Sequence, residues 1–121
     1  MMRDIKFRGL TLNNEWVYGL LCKDKKGTYI SNSVGSPKAF EVRPDSVGQY
    51  TGLKENASEF NKEIYKGDII EFISGERLSV EWNDDTCQFQ YSDGSPINNG
   101  DRYATHKAII GNIYDNPELI K

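Results

Sequence analysis

The chain has little of what most enzymes and metal proteins depend on. It holds one histidine, His106, and two cysteines, Cys22 and Cys87, in 121 residues. The cysteines stand far apart, without a C-x-x-C neighbour, so neither a zinc set nor a disulfide framework is written here. They read as two buried free thiols in a reducing compartment. Neither glycine-rich phosphate cradle occurs, and no run of oxygen ligands closes on a glutamate as a calcium loop does. No metal and no cofactor is expected. No window approaches the roughly 18 apolar residues of a membrane span. Arg3, Asp4 and Lys6 interrupt the start before a signal peptide's apolar run could begin. The expectation is a cytoplasmic protein that does not enter a membrane. Sustained helical periodicity is also missing, which excludes an all-α fold.

Charge is nearly balanced, with 15 basic and 18 acidic side chains and a net charge of −3. That argues against an indiscriminate nucleic-acid binder, which carries a basic stripe. Two local basic clusters exist: Lys23, Lys25 and Lys26 at one turn, and Lys6 with Arg8 on one strand face. Lysines at a hairpin tip commonly protect an edge. The mean hydropathy of −0.65 fits a globular chain with much polar loop. The length suits one domain whose core needs no staple.

What the chain does contain is alternation. Ile5 and Phe7 alternate with Lys6 and Arg8, which predicts a half-buried strand. After the turn signal Asn13-Asn14, Trp16, Tyr18 and Leu20 share one face, with Val17, Gly19 and Leu21 on the other. A strand apolar on both faces wants cover on both. Residues 28–31 return as a third strand, completing a meander. Residues 39–42 alternate again and suit a fourth. Pro44 then either breaks that strand or opens one helical turn through Val47. Residues 54–62 fit a short helix capped by Ser58 or a loop equally well.

In the second half, Gly67-Asp68 forms a turn feeding a strand at 69–73. Leu78, Val80 and Trp82 alternate in the clearest strand of the chain. Cys87, Phe89 and Tyr91 mark the next. A loop rich in glycine, proline and asparagine spans 92–101, and residues 107–114 form the closing strand. The sum is an all-β or β-dominated protein of about eight short strands with little helix. An N-terminal antiparallel meander packs on a C-terminal SH3-like small barrel. The whole of 1–121 reads as a single domain, with possible subdomains at 1–48 and 64–116 joined by 49–63.

Candidate chemistry is sparse. Cys87 and His106 would make a nucleophile and base only if their strands pair. Asp84-Asp85 sits at a hairpin tip, and Asp93 and Asp101 bracket the long loop, where aspartates usually serve the turn. No catalytic residue is assigned. Trp82, Phe89 and Tyr91, on neighbouring strands, form either a stacking face for a peptide or bases, or core filling.

Three segments carry a resemblance. Residues 49–54 read Gln-Tyr-Thr-Gly-Leu-Lys, residues 62–69 read Lys-Glu-Ile-Tyr-Lys-Gly-Asp-Ile, and residues 110–119 read Ile-Gly-Asn-Ile-Tyr-Asp-Asn-Pro-Glu-Leu. With Ile5-Lys6-Phe7-Arg8 at the start, the chain resembles the YopX family of small phage and prophage proteins over nearly its whole length. It departs from the family's pattern at residues 54–62, which are longer and lack a central Asn-Gly. The resemblance implies a phage or prophage accessory protein in a bacterial cytoplasm and carries no biochemical activity with it. Tyr50, Gly52, Tyr65, Gly67, Asp68, Gly111, Asn112 and Tyr114 lie inside these motifs and read as structural. Their phenols suit a tie between the Gly-Asp turn and the closing strand, and Asp68 suits backbone acceptance.

The expected function is therefore a non-enzymatic module that binds a protein partner. A nucleic-acid-binding module is the alternative, and a hydrolase-like enzyme follows behind both. A homo-oligomer is compatible with the exposed edges of a meander.

Overall fold

A computed structural model describes residues 5–31, 39–56, 61–97 and 107–120. Ten strands and two short 3-10 turns make up the described secondary structure. The expectation of a β-dominated chain with little helix holds, since its strands form antiparallel sheets and no longer helix occurs among the described residues. The backbone divides into two compact units, Met1–Tyr50 and Thr51–Lys121.

The first unit begins with the predicted meander. Strands β1 (Phe7–Leu10), β2 (Trp16–Lys23), β3 (Thr28–Ser31) and β4 (Ala39–Glu41) follow one another as antiparallel neighbours. The turns obey local polar chemistry. Asn14 takes φ 65° between β1 and β2, a conformation asparagine tolerates. At the next turn, Asp24 Oδ1 accepts hydrogen bonds from the amides of Lys26 (2.7 Å) and Gly27 (3.0 Å).

Beyond β4 the chain turns back along the outer edge of β1. Val42 bridges Thr11, and the Arg43 amide donates to the Leu10 carbonyl at 2.8 Å. Pro44–Ser46 then forms the 3-10 turn that proline was expected to open. Its buried Ser46 hydroxyl accepts from the Leu10 amide at 2.8 Å and donates to the Arg43 carbonyl at 2.6 Å. One side chain thus satisfies a strand edge that has no ladder partner at that point. Strand β5 (Gly48–Lys54) resumes the pairing, with Gly48 opposite Arg8 and Gln49 opposite Phe7.

One expectation fails here. β2 is not covered on both faces: Tyr18 is 49% exposed and Leu20 41%. Antiparallel sheets tolerate water on one face, and tyrosine keeps a wet end.

In the second unit, the end of β5 neighbours β6 (Glu63–Tyr65), where the Thr51 hydroxyl donates to the Ile64 carbonyl at 2.8 Å. Strands β7 (Asp68–Phe72), β8 (Arg77–Asn83), β9 (Gln88–Tyr91) and β10 (Lys107–Asn112) form a four-stranded sheet in the order β10-β7-β8-β9. Pro117–Ile120 is a second 3-10 turn. The core gathers alternate residues of these strands: Ile64, Ile70, Phe72, Leu78, Val80, Phe89 and Tyr91. Each such side chain contributes roughly 1.5–3 kcal/mol on leaving water.

The expected strand at 87–91 starts one residue later. Cys87 stands in the turn at φ 54°, because Asn83 Oδ1 draws in the amides of Asp85 (2.8 Å) and Thr86 (3.2 Å). Both cysteines are exposed rather than buried. The loop after β9 is less open than its composition suggests. The Tyr91 amide donates to the Ser95 carbonyl, Pro96 bridges Gln90, and Ile97 enters the core. Asp101 and His106 lie outside the described residues, as does Ser58, so the Cys87–His106 pairing and the capping reading are not placed.

Candidate functional site

The motif residues of the second unit converge on one turn. Gly67 takes φ 95°, which a side chain would resist. Its amide donates to the Val80 carbonyl at 2.8 Å, and its carbonyl accepts from the Ile113 amide at 2.9 Å. Asp68, 2% exposed, accepts the Tyr65 amide on Oδ2 at 2.7 Å. Asp68 faces Asn112 across the β7–β10 ladder. A bulge at Ile110 shifts the register between Ile109 and Gly111 and bends the strand's end.

Asn112 then organises the final turn. Its Oδ1 accepts from the amides of Tyr114 and Asp115, each at 2.9 Å. Its carbonyl accepts from the Asn116 amide at 2.8 Å. Gly111 leaves room for this: a Cβ there would stand 2.5 Å from Asn116 Oδ1. The Tyr65 phenol donates to Glu63 Oε1 at 3.1 Å. The tie between the Gly67 turn and the closing segment includes a backbone bond, from the Ile113 amide to the Gly67 carbonyl. Tyr50 is buried in the first unit with Lys6 Nζ 5.4 Å from its ring centre, and Gly52 takes φ 88° in β5.

The aromatic row grades from core to solvent. Tyr91 is fully buried and meets Phe72 edge-on, with centroids 5.2 Å apart at 88°. Phe89 is buried and sits opposite Trp82 at 4.9 Å and 71°. Only Trp82 reaches water, at 39% exposure. All three occupy the core side of β8 and β9, so they do not present one stacking face. The basic-face reading also changes. Arg8 is 6% exposed and lies 4.7 Å over the Trp16 ring, while Lys23, Lys25 and Lys26 are exposed at the turn. Asp84 and Asp85 are exposed at the hairpin, and Asp93 Oδ1 accepts the Ser95 amide at 2.9 Å. Among the described residues no three histidine, cysteine or carboxylate side chains gather as a metal set.

A different place offers an opening. On the first unit, a cavity of about 410 Å³ lies between β4 and the β1–β2 turn. Leu12, Val17 and Phe40 supply its apolar lining; Thr11, Asn13, Glu15 and Glu41 supply the polar part. The turn is firmly built. The Thr11 amide donates to the Glu15 carbonyl at 2.8 Å, the Glu15 amide donates to Thr11 Oγ1 at 3.1 Å, and Arg43 Nη2 donates to Asn14 Oδ1 at 3.1 Å. Leu12 is 59% exposed and Phe40 36%. Nearby, Tyr29 has its phenol pushed above its ordinary value, first by partial burial and then by the carboxylates of Asp24 and Glu41.

Comparison with known proteins now fits this geometry. The family model described as YopX protein matches residues 6–121. The chain belongs to the YopX family. The crystal structure of protein EF1440 from Enterococcus faecalis superposes with a TM-score of 0.63 at 21% identity, covering 99% of this chain and 100% of that one. At that identity the likeness concerns the fold. No curated protein matches the chain. In this YopX chain, the motifs that carry the resemblance lie largely in the knot around Gly67 and Asn112, where their polar groups bond to one another.

Sequence reasoning missed the cavity residues. Its only local signal was an apolar Leu12 beside the Asn13-Asn14 turn, and nothing in that spacing announces that Val42 will bridge Thr11 and bring Phe40 nearby.

Proposed function

We propose that this YopX chain is a non-enzymatic accessory protein of phage or prophage origin that binds a protein partner in the bacterial cytoplasm. The observation that carries the reading is the cavity beside β4, where Phe40 of that strand stays exposed next to Leu12, which stands on a well-bonded turn. Exposed apolar side chains on a fixed frame are what a docking partner can use. The motif residues do not compete for this role, because their donors and acceptors hold the fold of the second unit. The proposed cytoplasmic placement draws on the sequence; among the described residues no helix is long and apolar enough to cross a membrane.

Affinity capture from host lysate tests the reading, with half of the material nuclease-treated and a Leu12→Ser/Phe40→Ser variant run in parallel. A protein retained by the parent chain in both halves and lost with the variant supports it. Material lost only after nuclease treatment would replace it with nucleic-acid binding. A partner that stays bound to the variant would move the site away from the cavity.

A further inference from the structure

The sheet edges of this chain are treated unequally. On β10, the Ile109 amide donates to Glu55 Oε1 at 3.1 Å and the Lys107 amide to Asn56 Oδ1 at 2.6 Å, while the Lys107 carbonyl accepts from the Asn56 amide at 3.2 Å. On β9, the Tyr91 amide donates to the Ser95 carbonyl at 2.9 Å, and Pro96 bridges Gln90. Those edges are covered at these positions against pairing with another chain. β4 is an edge of the six-stranded sheet, and all three of its residues are exposed.

The ladder fixes which way the β4 backbone points. The Val42 amide donates to the Thr28 carbonyl at 3.0 Å, and Phe40 lies opposite Ile30. Hydrogen-bonded pairs alternate along an antiparallel ladder, so the backbone groups of Ala39, Glu41 and Arg43 point away from β3. The Arg43 amide meets the Leu10 carbonyl at 2.8 Å. Among the described residues, the Glu41 amide and both backbone groups of Ala39 have no hydrogen-bond partner. Glu41 and Phe40 also line the cavity of about 410 Å³ between β4 and the β1–β2 turn. Phe40 shares a sheet face with Ile30 and Leu21, and with Val17, which lines the same cavity.

An unpaired strand edge beside an apolar hollow matches an extended peptide. Main-chain bonds hold such a strand, and its alternate side chains reach one face. A second copy's β4 does not fit this place. The β1–β2 turn stands on the far side of any strand added here, where a second copy would carry its own β3.

Resting on the binding-module reading, we infer that an extended segment of the partner protein adds as a strand to the outer edge of β4. It bonds to the backbone of Ala39 and Glu41. Its apolar side chain opposite Phe40 enters the cavity toward Leu12 and Val17.

The test is an amide-resolved NMR titration, with hydrogen exchange, of the ¹⁵N-labelled chain and the capped pentapeptide Ser-Thr-Leu-Thr-Ser. A twin peptide is N-methylated at its three central residues, which removes their donors and keeps their side chains. The expected result is shifts at Leu12, Val17, Ala39, Phe40 and Glu41, with slower exchange at the Glu41 amide. The twin should bind about tenfold more weakly, as the loss of more than one neutral hydrogen bond requires. Glu41→Pro removes the outward amide and spares the β3–β4 ladder. It should weaken the parent peptide about two- to tenfold, the range of one such bond. Glu41→Gln keeps the amide and should bind as the parent chain does.

The inference is overturned by absence of shifts with millimolar peptide, by equal binding of both peptides, or by shifts without slower exchange at Glu41. Unchanged binding by a folded Glu41→Pro overturns it as well. If that variant does not fold, which its spectrum reports, the twin peptide and the exchange readout still decide. Exchange at Glu41 that slows as the chain alone is concentrated would assign the edge to a second copy. If a captured protein needs Leu12 and Phe40 yet stays bound to folded Glu41→Pro, strand addition fails and the binding-module reading stands. Absence of any captured protein is the separate result that sinks the module reading.

Discussion

The two units use their polar side chains differently. Around Gly67 in the second unit, carboxylate, amide and carbonyl groups bond inward. Asp68 serves the Tyr65 amide, Asn112 serves Tyr114 and Asp115, and the Ile113 amide reaches Gly67. In the first unit, Glu15 and Glu41 stand at an opening beside exposed Leu12 and Phe40. Density of recognisable motif is therefore a poor guide to where a surface is free to bind. A residue whose polar atoms are already matched within the fold gives a partner little to hold, however distinctive its motif.

That contrast can be broken most severely at Asp68. Asp68→Ala leaves the buried Tyr65 amide without its carboxylate and should cost about 3 kcal/mol, since such bonds to a charged group are worth roughly 1.5–3 kcal/mol and an orphaned donor adds to that. Chemical denaturation would read it. Gly111→Ala should cost somewhat less, about 2 kcal/mol, because the new methyl group meets Asn116 Oδ1 at 2.5 Å and that side chain must yield. Retention of full stability by this variant would mean that the final turn is held elsewhere. In the first unit, Ser46→Ala should cost about 1–2 kcal/mol through the unpaired Leu10 amide.

Much of the framework was legible before any coordinates. β1 and β8 show alternation because each has one clearly apolar face, while β2, β3 and β7 were marked by short apolar runs between turn signals. β5 and β6 were not separated as strands. Gly48 and Gly52 dilute the first, and only Glu63–Tyr65 make the second. Cys87 misled for a physical reason: Cys87, Phe89 and Tyr91 satisfy a period of two, yet the Asn83 side chain captures the amides that would have begun the strand. The aromatic row was correctly grouped by periodicity. Periodicity names a shared face without saying whether water lies on it, and burial of Phe89 and Tyr91 answers that. The cavity was illegible because it depends on long-range pairing, Thr11 with Val42.

The smallest expected effect concerns Tyr29. Its phenol is held above its ordinary value by partial burial and then by Asp24 and Glu41. A raised value means the folded chain favours the neutral phenol. Any stability this gives is complete below the unfolded value and is lost as pH rises through the folded one. Glu41→Gln should shift Tyr29 ionisation toward lower pH, read as the ultraviolet difference between that variant and the same variant carrying Tyr29→Phe. No movement would place Glu41's charge away from the phenol.

The most direct test of the contrast is partner retention by two folded variants side by side. One is Phe40→Ser; the other is Asp68→Ala, held well below its unfolding midpoint. The account predicts that Phe40→Ser unfolds close to the parent and loses the partner, while Asp68→Ala unfolds much earlier yet, when folded, retains it. The opposite pattern, with Asp68→Ala as stable as the parent and unable to bind, would show that the motif knot is itself the binding site.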